Sequence, residues 1–203
     1  MMKRAIASLC LSATLLIQTQ SAHAEDFVPD SINVSYGQYL DLVSSRSADF
    51  TNLRLGITWD WKKGFYQSDN MVLSSYFELA ASSWKSNLTA SDNPSPDGKD
   101  KVTAISFSPV LRMAFLPKAS VRPFIDLGVG AAYLSEQDLE KEKKSPINMG
   151  GHSQFEIRVM AGIEFGSKQQ FELSYGWFHY SNAGLHSMNE SIDFHLATFG
   201  YKW

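Results

Sequence analysis

Leu53-Arg54-Leu55-Gly56-Ile57-Thr58-Trp59-Asp60-Trp61 alternates apolar and non-apolar residues without a break. A β-strand turns successive side chains to opposite faces, so this order makes one face of Leu, Leu, Ile, Trp and Trp. The other face carries Arg, Gly, Thr and Asp. A helix, with its 3.6-residue repeat, would scatter both sets around its circumference. The stretch therefore reads as a strand with one apolar face.

The pattern recurs along the chain. Ile105, Phe107, Leu111, Met113 and Phe115 oppose Ala104, Ser106, Ser108 and Arg112. Val121, Ile125, Leu127, Val129 and Tyr133 oppose Arg122, Asp126, Gly128 and Gly130. Phe155, Ile157, Val159, Ile163 and Phe165 oppose Glu156, Arg158, Gly162 and Glu164. Eight strands follow, near 31–42, 51–61, 71–86, 101–116, 120–134, 152–166, 169–180 and 193–203. Their connections alternate in length. Lys62–Asn70, Pro117–Ala119 and Ser167–Lys168 are fairly short, whereas Asn87–Asp100 and Ser135–Gly151 are long and polar. Short turns at one end and long loops at the other mark outer-membrane barrels, and the aromatic ending Phe199-Gly200-Tyr201-Lys202-Trp203 fits that class.

Which face points inward decides between two barrels. A lipocalin-like soluble barrel buries its apolar face. Here the apolar face is large and aromatic on every strand. The other face is rich in Gly, Ser and Ala and carries Arg54, Glu78, Arg112, Arg122, Asp126, Glu156, Arg158, Glu164 and Glu172. Small residues and paired charges suit a narrow, filled interior, and aromatics suit lipid. We therefore expect an all-β fold: an eight-stranded antiparallel transmembrane β-barrel with a polar, filled interior. Eight strands are too few for an open channel, which argues against a porin.

Composition agrees. The 203-residue chain fits one domain. Lys3 and Arg4, the short apolar run Ala5–Ile17 and Ala22-His23-Ala24 read as a cleavable signal peptide over residues 1–24. The expected mature domain is 25–203. Losing Lys3 and Arg4 takes the net charge from −3 to −5, which gives no support for nucleic-acid binding. The only cysteine, Cys10, lies in the leader, so the mature chain has no disulfide and no thiolate metal site. The mean hydropathy of −0.19 is ordinary for a soluble protein, but alternating strands average out in the same way.

One polar cluster falls on the apolar face. Phe171, Leu173, Tyr175, Trp177 and His179 share a face of the seventh strand, which puts His179 on the outer wall near the long-loop end. Counting back from Trp203 through Tyr201, Phe199, Ala197 and His195 puts Asp193 on the outer face of the eighth strand, at the same end. On adjacent strands the two are within cross-strand reach, provided no bulge intervenes. Ser181 follows two residues after His179. Ser, His and a carboxylate are the parts of a hydrolytic triad. The plainer reading is an interfacial girdle of His179, Tyr180 and His195, and residue types alone leave both open. His152, His186 and His195 lack the spacing of a recognised metal motif, so no metal or other cofactor is expected.

The segment Phe178–Asp193 resembles the lipid A 3-O-deacylase (PagL) family of Gram-negative outer membranes. The match is densest in His179-Tyr180-Ser181-Asn182-Ala183-Gly184-Leu185 and continues to Asn189 and Ile192. It implies a serine esterase that removes the ester-linked 3-hydroxyacyl chain at position 3 of lipid A in lipopolysaccharide. Ser181 would be the nucleophile and His179 the general base. The family acid matches Asp193, although glutamate is usual there, and Glu190 is the rival. Asn182, Gly184 and Asn189 would supply oxyanion donors. The implied setting is the bacterial outer membrane, with the site near the extracellular rim and facing the outer leaflet. Expected partners are lipopolysaccharide and membrane lipid, and the resemblance also admits a homodimer. The alternatives are a non-enzymatic structural or adhesion barrel and a phospholipase-type esterase.

Overall fold

A computed structural model describes residues 28–41 and 48–203, the Lys62 side chain excepted. The leader expected at 1–24 lies outside the described residues. Eight strands form a closed barrel: β1 (Ser31–Tyr39), β2 (Phe50–Gln67), β3 (Met71–Ser86), β4 (Lys101–Phe115), β5 (Arg122–Leu134), β8 (Ser153–Phe165), β9 (Phe171–Ser181) and β10 (Ile192–Lys202). Two short strands, β6 (Asp138–Leu139) and β7 (Ile147–Asn148), make a separate hairpin between β5 and β8. All barrel pairs are antiparallel, and β1 closes the sheet by pairing with both β2 and β10. Closure gives every barrel strand a neighbour on both sides, the condition for a sheet to cross lipid.

Every expected strand is present, with two departures. First, β2 continues to Gln67, where a turn was expected from Lys62 onward. Irregular pairing between Asp60 and Tyr66 interrupts the alternation, and the ladder then resumes at Tyr66–Leu73 and Gln67–Val72. The turn shrinks to Ser68–Asn70 and is tied by Ser68 N–H donating to Met71 O at 2.8 Å. Second, the loop read as polar, Ser135–Gly151, contains β6 and β7. Leu139, Ile147 and Met149 of this hairpin are buried.

The faces lie as the alternation requires. Leu53, Leu55, Ile105, Phe107, Leu127, Val129 and Tyr133 are exposed on the outer wall. Inside, two ionic networks fill the polar part. Arg54 donates to Glu78 at 2.7 Å and to Glu156 at 3.0 Å. Arg158 joins Glu78 at 2.5 Å, and the Ser108 and Tyr180 hydroxyls donate to Glu156. Nearer the short turns, Arg112 makes a two-pronged contact with Asp126 and also reaches Glu164 and Glu172. Arg122 pairs with Glu164. A buried charge is tolerated only with such partners, which satisfy it in a medium of low polarisability.

The interior is not polar throughout. At the long-loop end Phe50, Trp84, Phe178, Phe194 and Leu196 pack with Leu139, Ile147 and Met149 into one buried cluster. Tyr180 bridges the two regions. Its ring lies 4.9 Å from that of Trp84, while its hydroxyl bonds Glu156 at 2.9 Å.

The hairpin is sewn to the loop between β3 and β4. Lys99 N–H donates to Asp138 O, Glu140 N–H to Lys99 O, and Ser95 N–H to Lys141 O. Glu140 is fully buried, accepting from Asp49 N–H and Ser86 O–H on one oxygen and, among the described residues, from nothing on the other. Burial therefore pushes its carboxyl above the ordinary glutamate value.

Two consequences are measurable. Arg54→Ala leaves Glu156 without a cation at hydrogen-bonding distance and should destabilise the barrel by about 3–5 kcal/mol, read as earlier urea unfolding in detergent micelles. For Glu140 the folded state prefers the protonated form. The hairpin should therefore gain stability as pH falls through the raised value, with no further gain below the unfolded one. Hydrogen exchange at the Met149 amide, corrected for intrinsic rate, should be slower in Glu140→Gln than in wild type at pH 7.5. The difference should close as the pH approaches 4.

Candidate active site

β9 and β10 pair in a register that sets His179 directly opposite Asp193. No bulge intervenes, so the two side chains share the outer face, as strand counting predicts. Ser181, the last residue of β9, lies on the same face one alternation further on.

The three side chains form a continuous relay. His179 Nδ1 lies 2.9 Å from Asp193 Oδ1, and His179 Nε2 lies 2.9 Å from Ser181 Oγ. The tautomer follows from the partners. A carboxylate only accepts, so Nδ1 carries the proton and donates it to Asp193. Nε2 is then the lone-pair nitrogen and accepts from the serine hydroxyl. The Asp193 side chain is 0 % exposed and that of His179 only 15 %. Asp193 is thus buried although its register faces outward. Trp177, two residues before His179 on β9, donates its indole N–H to Asp193 Oδ1 at 2.8 Å. Sequence reasoning placed Trp177 on this face but assigned it no part in the cluster. Its only signal was the shared face, because a direct hydrogen bond depends on ring orientation.

The rival acid is engaged elsewhere. Glu190 accepts Asn148 N–H at 2.5 Å on Oε2, and its own N–H donates to Asn148 O at 3.2 Å. It ties the loop after β9 to β7. The oxygen at His179 Nδ1 belongs to Asp193.

The turn that follows Ser181 is organised by Asn182, which is fully buried. Its Nδ2 donates to Met149 O at 2.9 Å and to Met188 O at 2.6 Å. Its Oδ1 accepts Gly184 N–H at 2.9 Å, and its backbone carbonyl accepts Leu185 N–H at 3.0 Å. Asn182 N–H itself donates to Asn189 Oδ1 at 3.0 Å. Ala183 and Gly184 both take positive φ, 51° and 79°. A Cβ at Gly184 would meet open space, so the demand for glycine there is one of backbone angle alone. Of the residues expected to supply oxyanion donors, Asn182 and Gly184 already spend their amides inside this turn. Asn189 meets Asn182 N–H through its carbonyl oxygen, which leaves its Nδ2 uncommitted to that bond.

Two other histidines have partners of their own. His152 Nδ1 faces Leu134 O at 2.8 Å, and His195 Nδ1 faces the Tyr175 hydroxyl at 2.8 Å. Among the described residues no three His, Cys, Asp or Glu side chains converge as metal ligands.

Comparison with known proteins places this geometry in a family. Residues 51–202 match the family model described as lipid A 3-O-deacylase (PagL). A curated relative, lipid A deacylase PagL of Pseudomonas aeruginosa, is 30% identical over 166 residues, which cover 80% of this chain and 86% of the relative. The crystal structure of the outer membrane enzyme PagL superposes with a TM-score of 0.67 at 24% identity, covering 85% of this chain and 99% of that one. The match runs from β2 through the barrel to β10 and takes in the whole Ser181–His179–Asp193 cluster, so the chain belongs to the lipid A 3-O-deacylase (PagL) family.

Proposed function

We propose that this chain is an outer-membrane serine esterase that removes the 3-O-linked hydroxyacyl chain from lipid A. The observation that carries the reading is the hydrogen-bonded relay from Asp193 through His179 to Ser181, in which the carboxylate fixes the one tautomer able to act as base. In the first half-reaction His179 Nε2 takes the Ser181 proton and Oγ attacks the ester carbonyl. The bond from that carbon to the sugar oxygen breaks, and the histidine returns the proton to the leaving hydroxyl. In the second half-reaction water, deprotonated by the same nitrogen, releases the hydroxy fatty acid and restores Ser181.

The oxyanion donors are best assigned to the Ala183 amide and Asn189 Nδ2. The bond from Asn182 N–H holds the Asn189 carboxamide beside the residue that follows the nucleophile. Gly184 contributes its backbone angle, and Asn182 holds the turn in shape.

The location of the relay on the barrel's outer wall suits an amphiphile that never leaves the bilayer. Long loops are the extracellular end of such barrels. On this reading the proposed site faces the outer leaflet, near the height where lipid A joins its acyl esters to its sugars. A non-enzymatic barrel has no use for an imidazole bonded on both nitrogens to an acid and a hydroxyl.

Mass spectrometry of lipid A from cells expressing the protein should show loss of one hydroxyacyl chain. Ser181→Ala should abolish it, a fall of at least about 10³-fold in turnover. Asp193→Asn should cost roughly 10²–10⁴-fold, since an amide in place of the carboxylate removes its hold on the imidazole tautomer. Glu190→Gln should leave turnover measurable. Unchanged lipid A beside Ser181-dependent loss of phospholipid acyl chains would move the assignment to a phospholipase. Full turnover in Asp193→Asn with none in Glu190→Gln would reverse the choice of acid.

A further inference from the structure

We infer that Trp177 is a positioning residue for the triad acid, acting through Asp193 rather than on the substrate. The inference rests on the serine-esterase reading above. Asp193 Oδ1 sits where two donors converge: His179 Nδ1 at 2.9 Å and Trp177 Nε1 at 2.8 Å. The other oxygen, Oδ2, is buried and has no hydrogen-bond partner among the described residues. With a single donor, the carboxylate would be free to swing about its Cβ–Cγ bond and take its charge off the imidazole axis. Two donors on one oxygen remove that freedom.

The register explains the reach. Trp177 stands opposite His195, two register pairs from His179 and Asp193 and on the same face, so its indole crosses the ladder diagonally to the acid. The same ring lies 5.5 Å from the His179 ring at 32°, closing over the imidazole from the side. One side chain therefore contacts both partners of the acid–base pair.

The chemistry of the donor matters as much as its position. An indole N–H is neutral, donates only, and does not titrate in the working range. It stabilises the charged carboxylate without neutralising it, as a lysine would in forming an ion pair. Aspartate is also a short acid whose reach from the backbone is limited, so a second donor on its bonding oxygen fixes the geometry that a longer side chain would find by flexing. The plainer role for an outward tryptophan near a barrel rim is an interfacial anchor. That role requires no bond to Asp193 and predicts no coupling to it.

The test compares Trp177→Phe with wild type in detergent-dispersed lipid A, using only folded barrel as judged by the heat-dependent gel shift. Phenylalanine keeps an aromatic ring and deletes the N–H. We expect kcat to fall roughly 10- to 100-fold, the scale of one hydrogen bond to a charged acceptor, with KM within about twofold. In an Asp193→Ala background the same substitution should cost nothing more. Equal kcat in Trp177→Phe, a change confined to KM, or independent multiplication of the two effects would overturn the inference. A second measurement does not depend on the Trp177 variant folding. The Trp177 indole N–H resonance of ¹⁵N-labelled wild type should move upfield in Asp193→Ala, and an unmoved resonance also overturns the proposal. Ser181→Ala separates the two layers. If it retains turnover, the esterase reading fails; if it is dead while Trp177→Phe is fully active, only the tryptophan assignment fails.

Discussion

The pairing register of β9 with β10 is the constraint on which the rest depends. In a barrel every side chain faces either lipid or the filled interior, and a slip of one residue exchanges the two. Such a slip of β9 would turn His179 and Ser181 inward, away from Asp193, and point Tyr180 at lipid. The register is held from inside. Tyr180 lies between His179 and Ser181, and its hydroxyl reaches Glu156 and Arg54 while its ring packs on Trp84. The residue between His179 and Ser181 is therefore anchored in the interior network, and these two outward side chains project from a backbone fixed on its far side. The hydrogen-bonded cluster on the wall and the ionic packing in the core are two faces of one strand.

Much of this was legible in the sequence, because barrel geometry repeats with a period of two. Alternation located all eight strands, their inner and outer faces, and the pairing of His179 with Asp193 on one wall. Where alternation stops, legibility stops. The irregular pairing between Asp60 and Tyr66 hid the last residues of β2. The hairpin of β6 and β7 is two residues long on each side, too short to show a period, and its burial depends on the interior cluster beneath it. The polar, filled interior expected from the alternation is present, and the inward aromatics Phe178 and Phe194 add an apolar cluster at its long-loop end. They occupy polar-face positions near the loops, where the lumen is closed by the hairpin rather than filled by charge. The bond from Trp177 to Asp193 depends on side-chain angles, which no pattern of residue types encodes.

The hairpin links these regions to the site. Its Met149 carbonyl receives Asn182 Nδ2, and Asn148 exchanges hydrogen bonds with Glu190. Both ends of the loop after Ser181 are thus moored to one small sheet, which is itself seated on the apolar cluster. Glu190 uses its carboxylate to accept Asn148 N–H. Asn182 is fully buried, and its side chain is consumed in shaping the turn. A side chain at a strand end needs such mooring, because the ladder that fixes His179 ends at Ser181.

The outer wall makes an unusual demand of the acid. A carboxylate on a lipid-facing position loses its hydration, and other donors must take the place of that water. Burial is tolerable here because donors replace the lost water: the imidazole N–H and the indole N–H on Oδ1. In surroundings of low polarisability these bonds are stronger than they would be in water, so the setting that penalises the charge also tightens its grip on the base. His179 Nδ1 is thus held on Asp193, while Nε2 faces Ser181 Oγ. The wall of a barrel is a poor place for an isolated charge, but a sound place for one held between an imidazole and an indole.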